Sequence, residues 1–442
     1  MNYGILGESK SLKRAVVVLI LALISGVLIL TSNFQPVEAV ITFYIRPDGS
    51  IWPMEANTYI MRVEDIFYHF MRDVHNPIVV QRSHIVIDED GHKLQGSDTG
   101  TGLHLQEQSN VTIRNTTIKD WYYGVYLNTS SLVRIVENHI ARSGKYGIRL
   151  KSSNNTIISG NNITHNHRGI HFHNSRNNMI SGNNIMHNDY GVYMGMSGYT
   201  RVANNTIFRN RIENNTEIGV WLTTLTYCSI SRNDVKNNSK GIVLSPYCRG
   251  VTVSGNNITD NINGTIVSWW ASASLLAGGP LQNNVMSVFE NKIYHNNFIN
   301  NTLHQATVIP DYTDAWDDGA TGNFWSDYTE RYPGAVDSDG DGIWDTPYII
   351  GGENIDRYPL VDILWMPITP RSWDITGPLK WVPDGKCDMR DVALVAKLFG
   401  SLEGDGKYDV RADITGPTYL VPDGKIDMRD VALVAKHYGE IY

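Results

Sequence analysis

Residues 169–185 read GIHFHNSRNNMISGNNI, and close variants of this phrase recur along the chain. Residues 147–163 read GIRLKSSNNTIISGNNI, and residues 241–258 read GIVLSPYCRGVTVSGNNI. The glycine that opens each copy falls at positions 102, 124, 147, 169, 191, 219 and 241, so the steps are 22, 23, 22, 22, 28 and 22 residues. A nearly constant period of this length indicates a repeat architecture. The single long step predicts a loop, which we place at residues 211–217.

Each copy has the composition of short strands. The copies are rich in Val, Ile, Thr, Asn and Ser, whereas helices would need runs of Ala, Leu, Glu and Lys. The first and third residues after each glycine are apolar, as in Ile170 and Phe172, so both point to the inner face of a strand. A second apolar position ends each phrase, and we assign to one inner wall Ile118, Ile140, Ile163, Ile185, Ile207, Val235 and Ile258. The repeats therefore predict an all-β solenoid of parallel strands.

Asparagines recur at two fixed places relative to that second apolar position. Coils about 4.8 Å apart stack like residues over like, so each place predicts a ladder of side-chain amides along the solenoid axis. Asparagine also tolerates the left-handed backbone of a turn, which favours a structural role. The first predicted ladder contains Asn138, Asn161, Asn183, Asn205, Asn233 and Asn256, and the second contains Asn166, Asn188, Asn210, Asn238 and Asn261.

A further set of motifs lies toward the C-terminus. Residues 322–328 read GNFWSDY, residues 337–348 read DSDGDGIWDTPY, and residues 356–360 read DRYPL. Together with the NNI phrases, these motifs resemble the NosD-type parallel β-helix family over residues 78–360. The resemblance implies a right-handed, three-sheet parallel β-helix and, for function, periplasmic help with copper delivery to an oxidoreductase. Imidazoles bind copper well, and the candidate donors are His165, His167, His171, His173 and His187.

The N-terminus has the order of a secretory signal. Lys10, Lys13 and Arg14 precede an uncharged apolar run at residues 15–30, and a polar stretch follows that ends at Ala39. We expect residues 1–39 to be a signal peptide or an N-terminal membrane anchor, because the apolar run is nearly long enough to span a bilayer. Either alternative predicts a secreted or cell-surface protein. The other predicted segments are an N-terminal cap at 40–77, the repeats at 78–301, a C-terminal cap with an Asp-rich loop at 302–369, and a last module at 370–442.

Charge and cysteine usage exclude some classes of protein. The net charge is −8 and no stripe of Lys and Arg recurs, which argues against a nucleic-acid partner. Three cysteines are too few for a disulfide framework: Cys228 and Cys248 either pair across adjacent turns or are buried thiols, and Cys387 is a packing residue. Eleven Asn-x-Ser/Thr sequons would suit an archaeal surface protein.

An acidic loop predicts a calcium site. Asp337, Asp339, Asp341 and Asp345 place carboxylates at alternate positions, with Gly340 and Gly342 between them, as a calcium loop requires. The loop has no Glu at its twelfth position, so it differs from an ordinary EF-hand. A solvated acidic turn is the alternative interpretation.

The last module is a duplication. Residues 374–400 read DITGPLKWVPDGKCDMRDVALVAKLFG, and residues 413–439 read DITGPTYLVPDGKIDMRDVALVAKHYG. Each copy joins an Asp-Gly loop to a predicted helix, whose apolar face we assign to Val392, Val395 and Leu398 in the first copy. In the second copy the face is Val431, Val434 and His437.

This duplicated loop and helix resembles a type I dockerin, although six extra residues, 378–383, depart from that pattern. The resemblance implies a small α-helical, calcium-binding domain that attaches the protein to a cohesin-like partner. The implied calcium ligands are Asp374, Asp384, Asp388, Asp391, Asp413, Asp423, Asp427 and Asp430.

One residue of each rung lies between the two inward positions and therefore faces outward. Aromatic and cationic side chains in line on a flat sheet can stack on sugars and bind them by hydrogen bonds, although such a stripe can also be a mere surface. The predicted ligand-binding residues are His104, Tyr126, Arg149, His171, Tyr193 and Trp221, with Val243 next in line.

The acidic residues of the repeats bear on catalysis. No two of them recur at one rung spacing, so paired-carboxylate hydrolysis is disfavoured. We therefore expect a protein that binds a polysaccharide or a glycoprotein surface. The alternative is a polysaccharide lyase or glycoside hydrolase of the same fold, with lyase-like proton abstraction favoured by the Arg, His and Tyr stripe. A copper accessory role is the third possibility.

Overall fold

The structure is a computed structural model and describes residues 41–88, 91–195, 202–245, 248–267, 291–308, 313–364, 389–402 and 425–436, with positions 387, 407, 412 and 438. The chain divides into two compact units, residues 1–41 and 42–442, and every element given below belongs to the second. The predicted export segment, 1–39, lies outside the described residues. Among those that are described, no helix has the length and apolar character needed to cross a membrane.

Three long sheets of mostly parallel strands build the solenoid, and each turn of the chain adds one strand to each sheet. Within the described residues the first sheet has twelve strands, in spatial order Ile51–Trp52, Phe43–Ile45, Ile78–Val80, Thr101–Gln106, Tyr123–Asn128, Tyr146–Lys151, Arg168–His173, Tyr190–Gly195, Ile218–Leu222, Lys240–Leu244, Asn263–Val267 and His304–Val308. The second, counted in the same way, has eleven: Ile60–Val63, Phe67–Phe70, Ile85–Asp88, Val111–Arg114, Arg134–Val136, Ile157–Ser159, Met179–Ser181, Thr206–Phe208, Ser229–Ser231, Thr252–Ser254 and Lys292–Tyr294. The third, again over the described chain, has ten: Lys93–Gln95, Thr117–Lys119, His139–Ala141, Asn162–Thr164, Asn184–Met186, Arg211–Glu213, Asp234–Lys236, Asn257–Thr259, Asn297–Ile299 and Phe324–Trp325.

Smaller elements complete the described structure. Two short pairs of strands are Val202–Ala203 with Leu225–Thr226 and Tyr348–Gly351 with Asn354–Asp356. A 3-10 helix spans Met54–Thr58, and α-helices span Tyr328–Arg331, Met389–Leu398 and Met428–Lys436.

The inner faces are apolar, which confirms the predicted alternation. Ile170 and Phe172 are completely buried and pair in register with the equivalent residues of the neighbouring rungs. The glycine before them is required by close stacking, because a Cβ on Gly169 would lie 2.7 Å from the carbonyl oxygen of Gly191. The repeated glycine therefore marks where adjacent turns approach too closely for any side chain.

Buried asparagines form the amide ladders at the corners between sheets. The backbone N–H of Asn188 donates to Oδ1 of Asn215 at 3.1 Å, and its Nδ2 donates to the Ile163 carbonyl at 3.0 Å. The left-handed residue is the one before the ladder asparagine, as at His187 with φ of 56°. Our expectation that the ladder asparagines themselves adopt the left-handed backbone was wrong. Their contribution is the hydrogen bonds that their side-chain amides make between turns.

The long repeat step lies earlier in the chain than predicted. Arg211–Glu213, which we placed in a loop, is a strand in register with Asn184–Met186. Ile207 pairs with Ile180 in the eleven-stranded sheet, so it does not belong to the inner wall to which we assigned it. The extra residues fall between Gly195 and Val202, upstream of that pairing.

This shift moves two asparagines out of the ladders to which we assigned them. Asn205 and Asn210 each occupy a different corner from the one predicted, because the Asn-Asn-Thr-Ile phrase at 204–207 belongs to the eleven-stranded sheet. The first ladder runs through Asn138, Asn161, Asn183, Asn210, Asn233, Asn256, Asn296 and Asn323. The second runs through Asn166, Asn188, Asn215, Asn238, Asn261 and Asn301.

The solenoid sheets begin inside the predicted N-terminal cap. Phe43–Ile45 pairs in parallel with Ile78–Val80, within the twelve-stranded sheet. An antiparallel strand, Ile51–Trp52, then pairs with Phe43–Ile45. A returning strand at the end of a sheet covers an edge that would otherwise be open to pairing with another chain.

The C-terminal motifs close the other end of the first ladder. Asn323 is the last asparagine of that ladder, and its backbone N–H donates to Oδ2 of the buried Asp356 at 2.7 Å. Trp325 Nε1 donates to the same oxygen at 2.9 Å, and the indole stacks on Phe298 and Tyr348 at centroid distances of 4.4 and 4.1 Å. The GNFWSDY and DRYPL motifs thus have a structural role at this end.

The described part of the last module has its own small core. Cys387 and Ile426 are both completely buried there, which confirms Cys387 as a packing residue. The buried face of each helix differs from our assignment. Leu394 and Leu433, which we did not assign to it, are buried, whereas Val392 and Val431 are only partly buried. His437 lies outside the described residues.

The remaining two cysteines are buried free thiols. Cys228 and Cys248 are not joined, which selects the second of the two alternatives open from the sequence. Burial raises the pKa of Cys228 to about 11 and that of Cys248 to about 12, so neither is a thiolate at neutral pH.

Candidate functional site

The predicted outward stripe forms a continuous column on the twelve-stranded sheet. In this sheet His104 pairs in register with Tyr126, Tyr126 with Arg149, and the column continues through His171 and Tyr193 to Trp221 and Val243. The rungs differ in exposure: Val243 is completely buried, and His171 retains only 5% of its surface. The other five predicted ligand residues are partly exposed.

A second column lies beside this stripe and was missed from the sequence. It consists of the residue immediately before each repeat glycine, a position whose recurring Tyr and Arg were the available signal. The aromatic, histidine and arginine side chains of the two columns form a surface that we call the aromatic face. Its members are His104, Tyr123, Tyr126, Tyr146, Arg149, Arg168, His171, Tyr190, Tyr193 and Trp221.

The rings of the aromatic face contact one another from rung to rung. His104 stacks on Tyr126 with centroids 5.0 Å apart and planes 3° from parallel. At the other end Trp221 stacks on Tyr190 at 5.7 Å and meets Tyr193 edge-on at 5.0 Å and 87°. These contacts hold the rings in place, so a ligand would meet a surface that is already ordered.

Two arginines lie among the rings. The Arg149 guanidinium carbon lies 5.1 to 5.4 Å from the ring centroids of Tyr123, Tyr126 and Tyr146. That of Arg168 lies 4.3 Å from the Tyr193 centroid, a close cation–π contact. The face thus has two positive charges at its centre, in contact with aromatic rings.

His171 does not fit its predicted role as an exposed ligand contact. Tyr146 and Tyr193 cover its ring, with centroids 4.4 and 5.0 Å away. Burial, with the nearby charges of Arg168 and Arg149, lowers the pKa of His171 to about 2, so the ring is neutral. Its position is that of a spacer that supports the tyrosines.

A cavity of about 410 Å³ lies at the corner where the ten-stranded sheet passes into the twelve-stranded sheet. His165 and His187 stack there with centroids 5.3 Å apart, as their one-coil spacing predicted. His167 Nδ1 lies 2.8 Å from Oδ2 of Asp189, and the His167 ring meets Tyr190 edge-on at 5.7 Å. The cavity therefore adjoins the aromatic face.

Two acidic residues come closer than the sequence indicated. Glu213 and Asp234 lie on adjacent strands of the ten-stranded sheet, although in register Glu213 pairs with Lys236 and Asp234 with Arg211. Burial and the Glu213 charge raise the pKa of Asp234 to about 6. Glu213 is also 2.9 Å from Arg211 Nε. This pair lies on a different sheet from the aromatic face.

Comparison with known protein families identifies the fold of the repeats. The family model described as a right-handed β-helix region matches residues 123–284. This chain contains a right-handed parallel β-helix. A search of curated proteins gave no significant match.

Several solved structures align with this chain, all at low TM-scores and low sequence identity. The A-module of mannuronan C-5 epimerase AlgE4 from Azotobacter vinelandii aligns with a TM-score of 0.41 at 11% identity, covering 63% of this chain and 80% of that chain. Pectate lyase Pel9A aligns at 0.37 and 14% identity, over 57% and 70% of the two chains. A tailspike protein mutant of E. coli bacteriophage HK620, in complex with a pentasaccharide, aligns at 0.38 and 11%, over 57% and 51%. Similarity at this level carries no argument about function.

The predicted acidic loop after the β-helix brings three carboxylates together. Oxygen atoms of Asp337, Asp339 and Asp341 lie within 4.8 Å of one another, the only such group of three acidic, His or Cys donors among the described residues. Asp337 also accepts backbone N–H groups of Gly340 at 2.8 Å and Gly342 at 3.0 Å, which folds the loop around it. Asp345 accepts from Ser338 N–H at 3.3 Å and is not part of the group.

Other predicted metal ligands are only partly described. Asp391 and Asp430 are completely buried near the start of their helices. Asp427 pairs with Arg429, whose hydrogen bond holds the pKa of Asp427 below its usual range. The remaining predicted ligands of this module lie outside the described residues: Asp374, Asp384, Asp388, Asp413 and Asp423.

The five candidate copper donors do not converge. His171 and His173 lie on the strand Arg168–His173, whereas His165 and His187 line the corner cavity. Within the described residues, no group of three donors includes any of them.

Proposed function

We propose that this protein binds a polysaccharide on the aromatic face of its β-helix. The observation that carries the proposal is the ordered column of rings and one arginine from His104 to Trp221, in register across six rungs and partly exposed at every rung except that of His171. Sugars present C–H faces that stack on aromatic rings and hydroxyls that bind polar edges. Successive rungs about 4.8 Å apart would follow a chain of sugars along the solenoid axis.

Binding would be tested by affinity electrophoresis of the full-length protein through gels that contain individual polysaccharides. We expect Tyr193→Ala with Trp221→Ala to abolish retardation, because it removes two of the three rings at one end of the face and leaves only Tyr190 there. Phe208→Ala is the matched control, since Phe208 lies on the outer side of the eleven-stranded sheet. Unchanged retardation of the double variant would contradict the proposal.

A second candidate is a polysaccharide lyase, favoured by the contact of His167 with Asp189 beside the aromatic face. A carboxylate on Nδ1 orients an imidazole so that its Nε2 can accept a proton, as proton abstraction from a sugar requires. Unsaturated products appearing in the electrophoresis samples would establish this candidate. Their absence with binding retained would leave the binding function alone.

The chain's context is also part of the proposal. We propose export to the cell surface, supported by the charged and apolar order of residues 1–39. We also propose a calcium-stabilised loop at Asp337, Asp339 and Asp341, supported by their convergence, and attachment through the dockerin-like module. The copper accessory role has no specific support, because the histidines do not converge.

A further inference from the structure

The aromatic face has an unusual charge balance. The seven strands from Thr101–Gln106 to Lys240–Leu244 contain no Asp or Glu, although they carry four lysines and arginines. Arg149 and Arg168 lie at the centre of the face, on adjacent rungs. The face is therefore positive, whereas the whole chain has a net charge of −8.

Neither arginine has an anionic partner in the described structure. Arg149 donates through Nη1 to the Tyr123 hydroxyl at 3.2 Å, and its Nε is buried without a hydrogen-bond partner. The Nε of Arg168 is also buried and unpartnered among the described residues. Both guanidinium groups lie near the Tyr146 ring, at 5.1 and 5.8 Å. Two like charges held close together and partly shielded from water favour an anion between them.

Four other arginines of the β-helix and its C-terminal end have acidic partners. Each of the four has a carboxylate oxygen within 3.0 Å. The pairs are Arg114 with Asp88, Arg142 with Asp120, Arg211 with Glu213, and Arg357 with Asp317. The strands of the aromatic face, by contrast, supply no acidic residue to Arg149 or Arg168.

We propose that the polysaccharide bound by this face is anionic, with its carboxylate or sulfate groups held by Arg149 and Arg168. This inference rests on the proposed function of the face. Stacking on tyrosine leaves the terminal Nη groups of a guanidinium able to donate, and such groups bind carboxylates and sulfates through paired hydrogen bonds. The neighbouring rings supply the contact with the sugar itself.

The test compares ligands that differ only in charge. Binding of full-length protein to oligogalacturonate would be measured by calorimetry beside its methyl ester, with a sulfated glycan and a neutral mannan as further arms. We expect the acid or the sulfated glycan to bind at least about tenfold more tightly than the uncharged ligands, and added salt to weaken that binding. This comparison needs no variant and so does not depend on folding of a mutant.

Variants then assign the charge to its residues. Arg149→Gln and Arg168→Gln should each weaken binding of the anionic ligand about 10- to 100-fold, the range expected for loss of a charge-assisted contact. Arg134→Gln, on the outer face of the eleven-stranded sheet, is the matched control and should have no effect. Thermal unfolding of each variant shows whether its fold is retained.

The outcomes separate the two proposals. Equal binding of the acid and its ester would overturn the anionic inference and leave polysaccharide binding standing. Binding of none of the four ligands would count against the proposed function itself. Preference for the anion that survives both substitutions would remove Arg149 and Arg168 from the site.

Discussion

At the scale of single residues, asparagine has one role at the corners between sheets and another on the outer side of a strand. An asparagine at a corner is completely buried and satisfies three turns at once, as Asn188 does with Ile163 and Asn215. Asn184, four residues earlier, is exposed on the outer side of the ten-stranded sheet. Burial and hydrogen bonding therefore determine the importance of each asparagine more than its place in the motif does.

This contrast predicts unequal effects of one substitution. Asn188→Ala should lower the free energy of unfolding by about 2–4 kcal/mol, because it leaves a buried carbonyl and a buried N–H without partners. Asn184→Ala is the control and should change it by less than about 0.5 kcal/mol. Chemical denaturation measures both, and equal effects would show that the ladder contributes no special stability.

His171 predicts a dependence of stability on pH. Its folded pKa is about 2, far below the unfolded value of 6.5, so the unfolded state binds a proton that the folded state does not. The free energy of unfolding should fall as pH decreases from 6.5 toward 2, with His171 contributing about 1.4 kcal/mol per pH unit. In the variant His171→Phe, the free energy of unfolding should fall less steeply between pH 6 and 4, by the contribution of His171. The same slope in the variant and the unmodified protein would mean that His171 takes up its proton in the folded protein too.

At the scale of elements, the sequence predicts the strands well and their assignment to sheets less well. Glycine and the alternation after it identify seven consecutive strands of the twelve-stranded sheet, because that position stacks backbone on backbone. The other two corners use nearly the same Asn-Asn phrase, since both need an inward asparagine after a left-handed residue. Extra residues between Gly195 and Val202 therefore shifted our assignment of Ile207, Asn205 and Asn210 by one corner.

The sequence also predicted only part of the aromatic face. The outward stripe was predictable from its alternation with buried residues, whereas the burial of His171 depends on Tyr146, a residue of the parallel column. Contacts between neighbouring columns arise from the register of adjacent strands, which one repeat read alone does not reveal. The residue before each glycine was the missed half of the face.

The acidic loop supplies a prediction at the scale of an element. Calcium should raise the thermal midpoint of the full-length protein, and saturation at about 100 times Kd corresponds to about 2.7 kcal/mol of stabilisation. Asp339→Asn with Asp341→Asn should remove the part of this increment that arises from the loop, because both carboxylates belong to the converging group. The measured quantity is the difference between calcium and chelator within each variant.

Asp362→Asn is the control for that experiment, since Asp362 is exposed and outside the loop. An increment that is the same in the loop variant and in the control would show that calcium acts elsewhere, for example in the last module. No increment in any form of the protein would contradict a calcium role altogether.

At the scale of the molecule, stacking of rungs accounts for both stability and function. The inward positions make one continuous core, the corners make amide ladders, and the outward positions of one sheet make the aromatic face. The C-terminal motifs that resemble the NosD-type family close the first ladder through Asp356 and so explain the fold more than the activity. The proposed activity resides in outward residues that the fold itself leaves free to vary.

The most direct test of the central claim is a crystal structure of the protein soaked with an anionic oligosaccharide. The account predicts sugar rings stacked on Tyr193 and Trp221, with an acidic group within hydrogen-bonding distance of Arg149 or Arg168. Sugar bound only on another sheet, with the aromatic face bare, would contradict it.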